Sequence, residues 1–394
     1  DIEAIINYCL PIQKRHPEAR EEIRHREEDL ERILREQQKP VLKLAMLNDR
    51  LLVSGGAGTG KTMIAMEVAQ RQAEQGKRVA LLCFNQLVGN WMKMRVDHTV
   101  PRLPNLIVGR ANQIMIEMIG ITVPETTSNE YWERTLPEML EERLTDPDFC
   151  VTTAFDYLVL DEAQDILARP RLWQCLLNFL NGGEEKGKFV LFGDFVNQVL
   201  AERGQLDQSI AVLENISKPT HYHLSENCRN YKIIGDTALR LSGFKNNVYS
   251  GYMRCGGSIS NYDIYFYSDE KDQLDRLDQY LREFRLQGYK SSEIVILSFC
   301  ADDACAAARL RRSGYTLFPA WQQTSGNTIY ASIHAFKGLE SKVVIITDLV
   351  LGQPDFQRHL FYTGMTRATE SVRVLCNRNS MNILMNWFSG KDLP

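Results

Sequence analysis

One stretch, Leu51-Leu52-Val53-Ser54-Gly55-Gly56-Ala57-Gly58-Thr59-Gly60-Lys61-Thr62, restricts the fold more than any other. Its apolar start predicts a buried parallel strand, its glycines a tight turn, and Lys61-Thr62 the mouth of a helix. This is the G-x-x-x-x-G-K-[ST] phosphate-loop pattern, with Gly55, Gly60, Lys61 and Thr62 at the defining positions. Between them, Gly56, Ala57, Gly58 and Thr59 let the backbone curl so that successive N–H groups turn toward a polyphosphate. Lys61 can reach the β and γ oxygens, the Thr62 hydroxyl can bind Mg²⁺, and the helix N-terminus attracts negative charge. The order strand, turn, helix predicts binding of a nucleoside triphosphate. It leaves open what hydrolysis drives.

A second apolar run, Phe155 to Leu160, leads directly into Asp161-Glu162-Ala163-Gln164. Carboxylates at the end of a buried strand complete a triphosphate site. Asp161 is expected to hold Mg²⁺, directly or through water, and Glu162 to position and deprotonate the attacking water. Phe189 to Phe192 is a further strand, followed by Gly193-Asp194 and then Gln198. Open α/β sheets bind ligands at the carboxyl ends of their strands, so Gln198 is placed to sense a γ-phosphate.

The surrounding pattern is that of a parallel sheet covered on both faces. Met63 to Gln75 predicts a helix closed by Gly76, and Val79 to Phe84 a second continuous strand, which makes a βαβ unit. Tyr131 to Leu144 reads as a peripheral helix. Strands are predicted near His221–Leu224, at Ile294–Ser298, at Ile329–Ile333 and at Val343–Ile346. Leu360 to Arg367 starts a last helix and Val372 to Leu375 a last strand, with a hinge near residues 215–222. Residues 13–36 predict a charge-dense helix with Glu22/Arg26, Glu28/Arg32 and Glu31/Arg35 at i,i+4 spacing, either a solvated edge or a connector.

Composition narrows the partners. A chain of 394 residues predicts two domains rather than one. It has neither an apolar run of membrane-spanning length nor a charged-then-apolar leader. Its nine cysteines form no C-x-x-C pair, which argues against zinc and fits free thiols in a reducing cytoplasm. A net charge of −4 gives no general footprint for nucleic acid, so any such contact needs a local groove. The chain opens on Asp1 rather than Met, and of a trimmed start and a preceding N-terminal domain the reading favours the second.

Taken together in order and content, the motifs resemble the core of superfamily 1 helicases of the UvrD/Rep type, from Gln38 to Asn377. GGAGTGKT resembles the first motif, LDEAQD the second and FGD…NQ the third. SENCR is similar to the fourth, usually written with N-Y-R, while SIHAFKGLE and RHLFYTGMTRA are similar to the fifth and sixth. The resemblance implies an α/β fold of two RecA-like domains, over residues 37–217 and 218–394, after a charged helical segment 1–36. It implies ATP and Mg²⁺ on Lys61, Thr62 and Asp161, with Glu162 as general base and Gln198 coupling the γ-phosphate to a nucleic-acid groove. Arg229 and Arg367 are then expected to cross the interdomain cleft and stabilise charge on the transferred phosphoryl group. The planar guanidinium fork suits that task, and two supplied by the second domain make hydrolysis depend on closure. Gly338 and Glu340 approach the nucleotide from the second domain, Glu340 at the ribose. Gln38 sits where the family carries an adenine-reading glutamine, with Gln37 the neighbouring candidate.

The departures matter as well. Cys228 stands where the family has a tyrosine that stacks on adenine, and Val199, Leu200 and Ala201 replace aromatic residues that stack on bases. Only about 40 residues separate Gln113 from Phe155 and about 100 separate Arg229 from His334, too few for the large inserted domains of full family helicases. Candidate strand contacts are Phe84, which stacks a base or simply ends a core strand, Asn85 and His334. The expectation is an ATP-driven motor on single-stranded nucleic acid, DNA favoured over RNA, with 3′→5′ travel implied by the resemblance alone. The rival expectation is an ATPase switch that gates a nuclease, carried by a missing N-terminus or a partner, in repair or anti-phage defence.

Overall fold

The computed structural model describes residues 40–97, 103–124, 130–195, 203–242, 248–322, 326–352 and 354–389. The charged helix expected over residues 13–36, together with Gln37, Gln38, Gln198, Val199, Leu200 and Ala201, lies outside the described residues.

The first sheet grows from β1 (Arg50–Gly55), β2 (Val79–Cys83), β3 (Leu106–Arg110), β4 (Tyr157–Asp161), β5 (Phe189–Gly193) and β6 (Thr220–Leu224). They pair in the order β3-β2-β4-β5-β1-β6, parallel throughout. Both faces are covered, which is why the strands read as unbroken apolar runs. Leu51, Val53, Leu81 and Val159 pack on one face with Ile64 and Val68 of the helix Lys61–Glu74. Leu52, Leu82, Leu160 and Leu191 pack on the other, against Ile166 and Leu176. β5 lies between β1 and β4, so the phosphate loop and Asp161 emerge from one sheet edge, a strand apart.

The second sheet repeats this arrangement with β9 (Tyr262–Tyr267), β10 (Ile294–Ser298), β11 (Leu317–Pro319), β12 (Thr328–Ser332), β13 (Ser341–Leu349) and β14 (Ala368–Asn377). The order is β11-β12-β10-β13-β14-β9, again all parallel. Between the sheets, β7 (Glu226–Tyr231) and β8 (Gly251–Arg254) form a two-stranded ribbon. The amide of Asn230, wholly buried, donates to Thr366 O at 3.1 Å and Ala368 O at 2.6 Å, fastening β7 to the start of β14. Two RecA-like lobes result.

Three elements differ from the sequence reading. The strand Thr220–Leu224, expected in the second half, pairs with β1 and completes the first sheet; only Ser225 separates it from β7. Its alternating, half-exposed pattern marks an edge strand, and an edge strand's sheet membership depends on distant pairing rather than local sequence. The segment Tyr131–Leu144 is not one peripheral helix: Tyr131–Thr135 is a π-turn and Leu136–Arg143 an α-helix. Pro137 lacks the N–H that an α-helix would direct at the preceding turn, and Leu136 and Leu140 are fully buried. The helix Pro354–Met365 ends before Arg367, and a further helix, Met381–Ser389, follows β14 with Leu384 and Trp387 buried. No helix among the described residues is long and apolar enough to cross a membrane.

Candidate active site between the two sheets

The phosphate loop is built by its glycines. Gly58 and Gly60 sit at φ 80° and 85°, a left-handed conformation that only glycine adopts without strain. A Cβ on Gly58 would stand 3.0 Å from both the Arg229 Cβ and the Asn227 Oδ1, so the second half of the chain touches the loop here. Lys61 is folded onto its own loop, with Nζ donating to Gly55 O at 2.8 Å and Gly56 O at 2.9 Å. Thr59 Oγ1 donates to Gly56 O at 2.9 Å. Across the sheet edge, Thr62 Oγ1 donates to Asp161 Oδ2 at 2.7 Å.

The acidic strand end is electrostatically loaded. Burial and the neighbouring Glu162 push the Asp161 carboxyl well above the ordinary carboxylate range, against the Thr62 hydrogen bond. Its Oδ1 is buried without a hydrogen-bond partner. Burial also works to raise Glu162, but Lys337, Lys61 and Arg367 outweigh it and hold that carboxylate ionised. Glu162 itself sits at φ 50°, a strained backbone for a side chain with a Cβ, and accepts a hydrogen bond from Gln164 Nε2 at 2.6 Å. A divalent cation between Thr62 and Asp161 would satisfy the orphaned oxygen and relieve the crowding, so these residues fit Mg²⁺.

The opposite wall comes from the ribbon and the second sheet. A cavity of about 320 Å³ is lined by Gly58, Lys61 and Thr62 on one side and by Arg229, Gly338, Glu340 and Arg367 on the other. Arg229 Nε donates to Glu340 Oε2 at 2.6 Å, while its Nη1 is buried without a partner. Arg367 is held from behind, Nε donating to Thr363 O at 2.9 Å. Burial first, and Arg229 second, lower its affinity for its own proton to about 10. Two buried guanidiniums that disfavour each other, one with a free N–H, fit a polyphosphate anion. Glu340, implied at the ribose, is engaged by Arg229 here. Cys228 does not stack on anything: its N and Sγ both donate to Gly58 O, at 2.9 and 3.0 Å. The small thiol lets β7 lie directly against the loop at this point.

Beside this cavity lies a wider groove of about 770 Å³ whose lining includes Phe84, Arg110, Trp132, Arg169, Trp321 and His334. The Arg169 guanidinium stands 4.3 Å over the Phe84 ring, and that of Arg110 stands 5.3 Å over Trp132. His334 is exposed and its ring stacks on Phe356 at 5.7 Å. Asn85 is occupied by the protein: its Oδ1 accepts from Leu87 N at 2.8 Å, capping the helix Gln86–Asp97, and its Nδ2 donates to Ala335 O at 3.0 Å. Gly338, at φ 90°, meets the first lobe so closely that a Cβ would stand 2.5 Å from Val88 Cγ2.

Several site residues went unrecognised in the sequence. Lys337 Nζ lies 2.8 and 2.9 Å from the two Asp165 oxygens and 3.8 Å from Glu162 Oε2. Tyr249 Oη donates to Ala57 O at 2.6 Å and contacts Tyr362 Oη at 2.8 Å. Both Lys337 and Asp165 stood inside quoted motifs, and their opposite charges were the available signal. Nothing local marked Trp132 or Tyr249.

A phosphate loop, an acidic strand end, and arginines from the ribbon and from the start of β14 define a two-lobed P-loop NTPase. Residues 37–202 match the family model of the AAA domain, and residues 329–375 match that of the UvrD-like helicase C-terminal domain. The two matches support a superfamily 1 UvrD-like helicase core and, in general terms, an ATP-dependent nucleic-acid motor. No curated protein matches it.

Proposed function

We propose that the chain hydrolyses ATP with Mg²⁺ at the small cavity and uses the cycle to travel along a single strand held in the groove. ATP would supply the phosphoanhydride and Mg²⁺ the charge its oxygens require. Lys61 and the loop N–H groups bind phosphate, Thr62 and Asp161 hold the ion, and Glu162 takes the proton of water. Arg229 and Arg367 stabilise charge that develops on the transferred group. Gln38 at the adenine and Gln198 at the γ-phosphate complete the assignment. In this reading the two moving units are the lobes built on the two sheets, after a connector over 1–36, and their boundary falls at Ser225 rather than between 217 and 218, because β6 is paired with β1. The strand is DNA, and travel runs 3′→5′, as the resemblance implies.

The observation that carries the strand reading is the groove itself, where arginines lie over aromatic rings on a chain whose net charge is −4. Guanidiniums meet phosphates and rings meet bases, with roughly 1–3 kcal/mol for each stacked base. The test is ATPase activity measured with and without single-stranded DNA and RNA, beside displacement of a 3′ or 5′ end block. Stimulation by DNA with loss of one block is expected. No stimulation by either strand overturns the reading.

A second reading, an ATPase switch that gates a nuclease or other partner, rests on the short intervals between motifs and on Val199, Leu200 and Ala201. Stimulated hydrolysis without displacement of either block would select it.

A further inference from the structure

Lys337 occupies an unusual position. Among the described residues it alone lines both the hydrolysis cavity and the groove. It belongs to the turn between β12 and β13, and that turn is pinned to the first lobe on each side of it. Asn85 holds Ala335 O at 3.0 Å, and Gly338 presses on Val88. The backbone is therefore fixed and only the side chain is left to move. Its side chain is 15% exposed, and the ammonium answers two carboxylates of the first lobe, at 2.8 Å for Asp165 and 3.8 Å for Glu162. Asp165 lines the groove and Glu162 the hydrolysis cavity. One cation thus serves two anions, one in each compartment.

We propose that Lys337 is the positioning residue through which an occupied groove acts on Glu162, a strand phosphate competing with Asp165 for its ammonium. This rests on the function proposed above. A compact ammonium with three donors on a flexible stem can be shared with a phosphate oxygen. A phosphate at the groove end adds negative charge beside Asp165. It draws the ammonium along the groove and so changes the cation that Glu162 faces in a site where charges act strongly. The device needs no large rearrangement, because the turn that carries Lys337 is already held.

The test uses the full chain, ATP with Mg²⁺ and single-stranded oligodeoxythymidylate as the probe. Lys337→Met should reduce the ratio of strand-stimulated to strand-free ATPase at least tenfold, and Lys337→Arg should recover a substantial part of it. Asp165→Asn, which weakens the competing anion, should lower the strand concentration for half-maximal stimulation several-fold. A merely structural Lys337 would depress both rates together and leave the ratio alone. A wild-type ratio in Lys337→Met overturns the inference, and so does an unchanged or raised half-maximal concentration in Asp165→Asn. Should Lys337→Met fail to fold, the Arg and Asn variants carry the same decision. Wild-type protein that no strand stimulates overturns the proposed function as well, which separates the two failures.

Discussion

Thr62 and Asp161 touch directly: the hydroxyl of one donates to the carboxylate of the other at 2.7 Å, between the helix after the phosphate loop and the end of β4. Both are the residue types a hard cation selects, and the second Asp161 oxygen has no partner. Thr62→Ala should therefore remove most Mg²⁺-dependent ATPase while costing only about 0.5–1.5 kcal/mol of stability. Nucleotide affinity titrated with and without Mg²⁺ checks this, and an unchanged Mg²⁺ effect would place the ion elsewhere.

The raised Asp161 carboxyl has a consequence for stability in the absence of metal. The folded state holds this proton more tightly than the unfolded one, so the contribution is fully present below the ordinary carboxylate range and is lost as pH rises toward neutrality. Asp161→Asn should remove that part of the pH slope. Melting temperatures of the two proteins without Mg²⁺ should diverge toward neutral pH, the variant becoming the more stable. Parallel curves would refute the account.

Arg367 is buried, held through Thr363, and crowded by Arg229. Arg367→Ala should leave ATP binding within a few fold and cut turnover by about 10³ or more, as loss of an arginine that meets transition-state charge does. Single-turnover hydrolysis beside nucleotide titration separates the two effects. Weak binding with normal turnover of the bound fraction would take Arg367 out of the transition state.

Gly338 joins the lobes through backbone geometry. Gly338→Ala should cost about 1–2 kcal/mol for the left-handed conformation alone, with further loss from the clash at Val88. Adding Val88→Ala should return only the steric part. A denaturant melt of the single and double variants measures both terms, and a neutral single variant would mean that the turn reorganises.

Trp132→Ala should raise the strand concentration for half-maximal ATPase stimulation by roughly tenfold, the equivalent of one lost stacked base. Strand titrations read it directly. An unmoved midpoint would place the strand away from this wall of the groove.

What could be read in the chain was whatever depends on neighbours in sequence. The loop from Gly55 to Thr62, the strand leading to Asp161 and Glu162, and the unbroken apolar runs of β1 and β10 are local patterns. Folding placed them as expected. Arg229 and Arg367 came through motif order, and both line the small cavity. What stayed hidden depends on pairing at a distance. Lys337 meets Asp165 across 172 positions, and Asn85 meets Ala335 across 250. Sequence alone could not show that Asn85, which lines the groove, also caps a helix, because an amide at a strand end looks the same whether or not its Oδ1 is engaged. Trp132 lay in a segment taken as peripheral, since a helix broken by Pro137 does not announce which wall it covers.

The single residue between β6 and β7 leaves Arg229 tied to both lobes at once. Leu224 is in register with Gly55 beside the phosphate loop, and β7 begins just past Ser225. Next to Arg229 in the chain, Asn230 holds Thr366 O and Ala368 O, on either side of Arg367. The two guanidiniums therefore share one mooring, and a pull on either lobe reaches both.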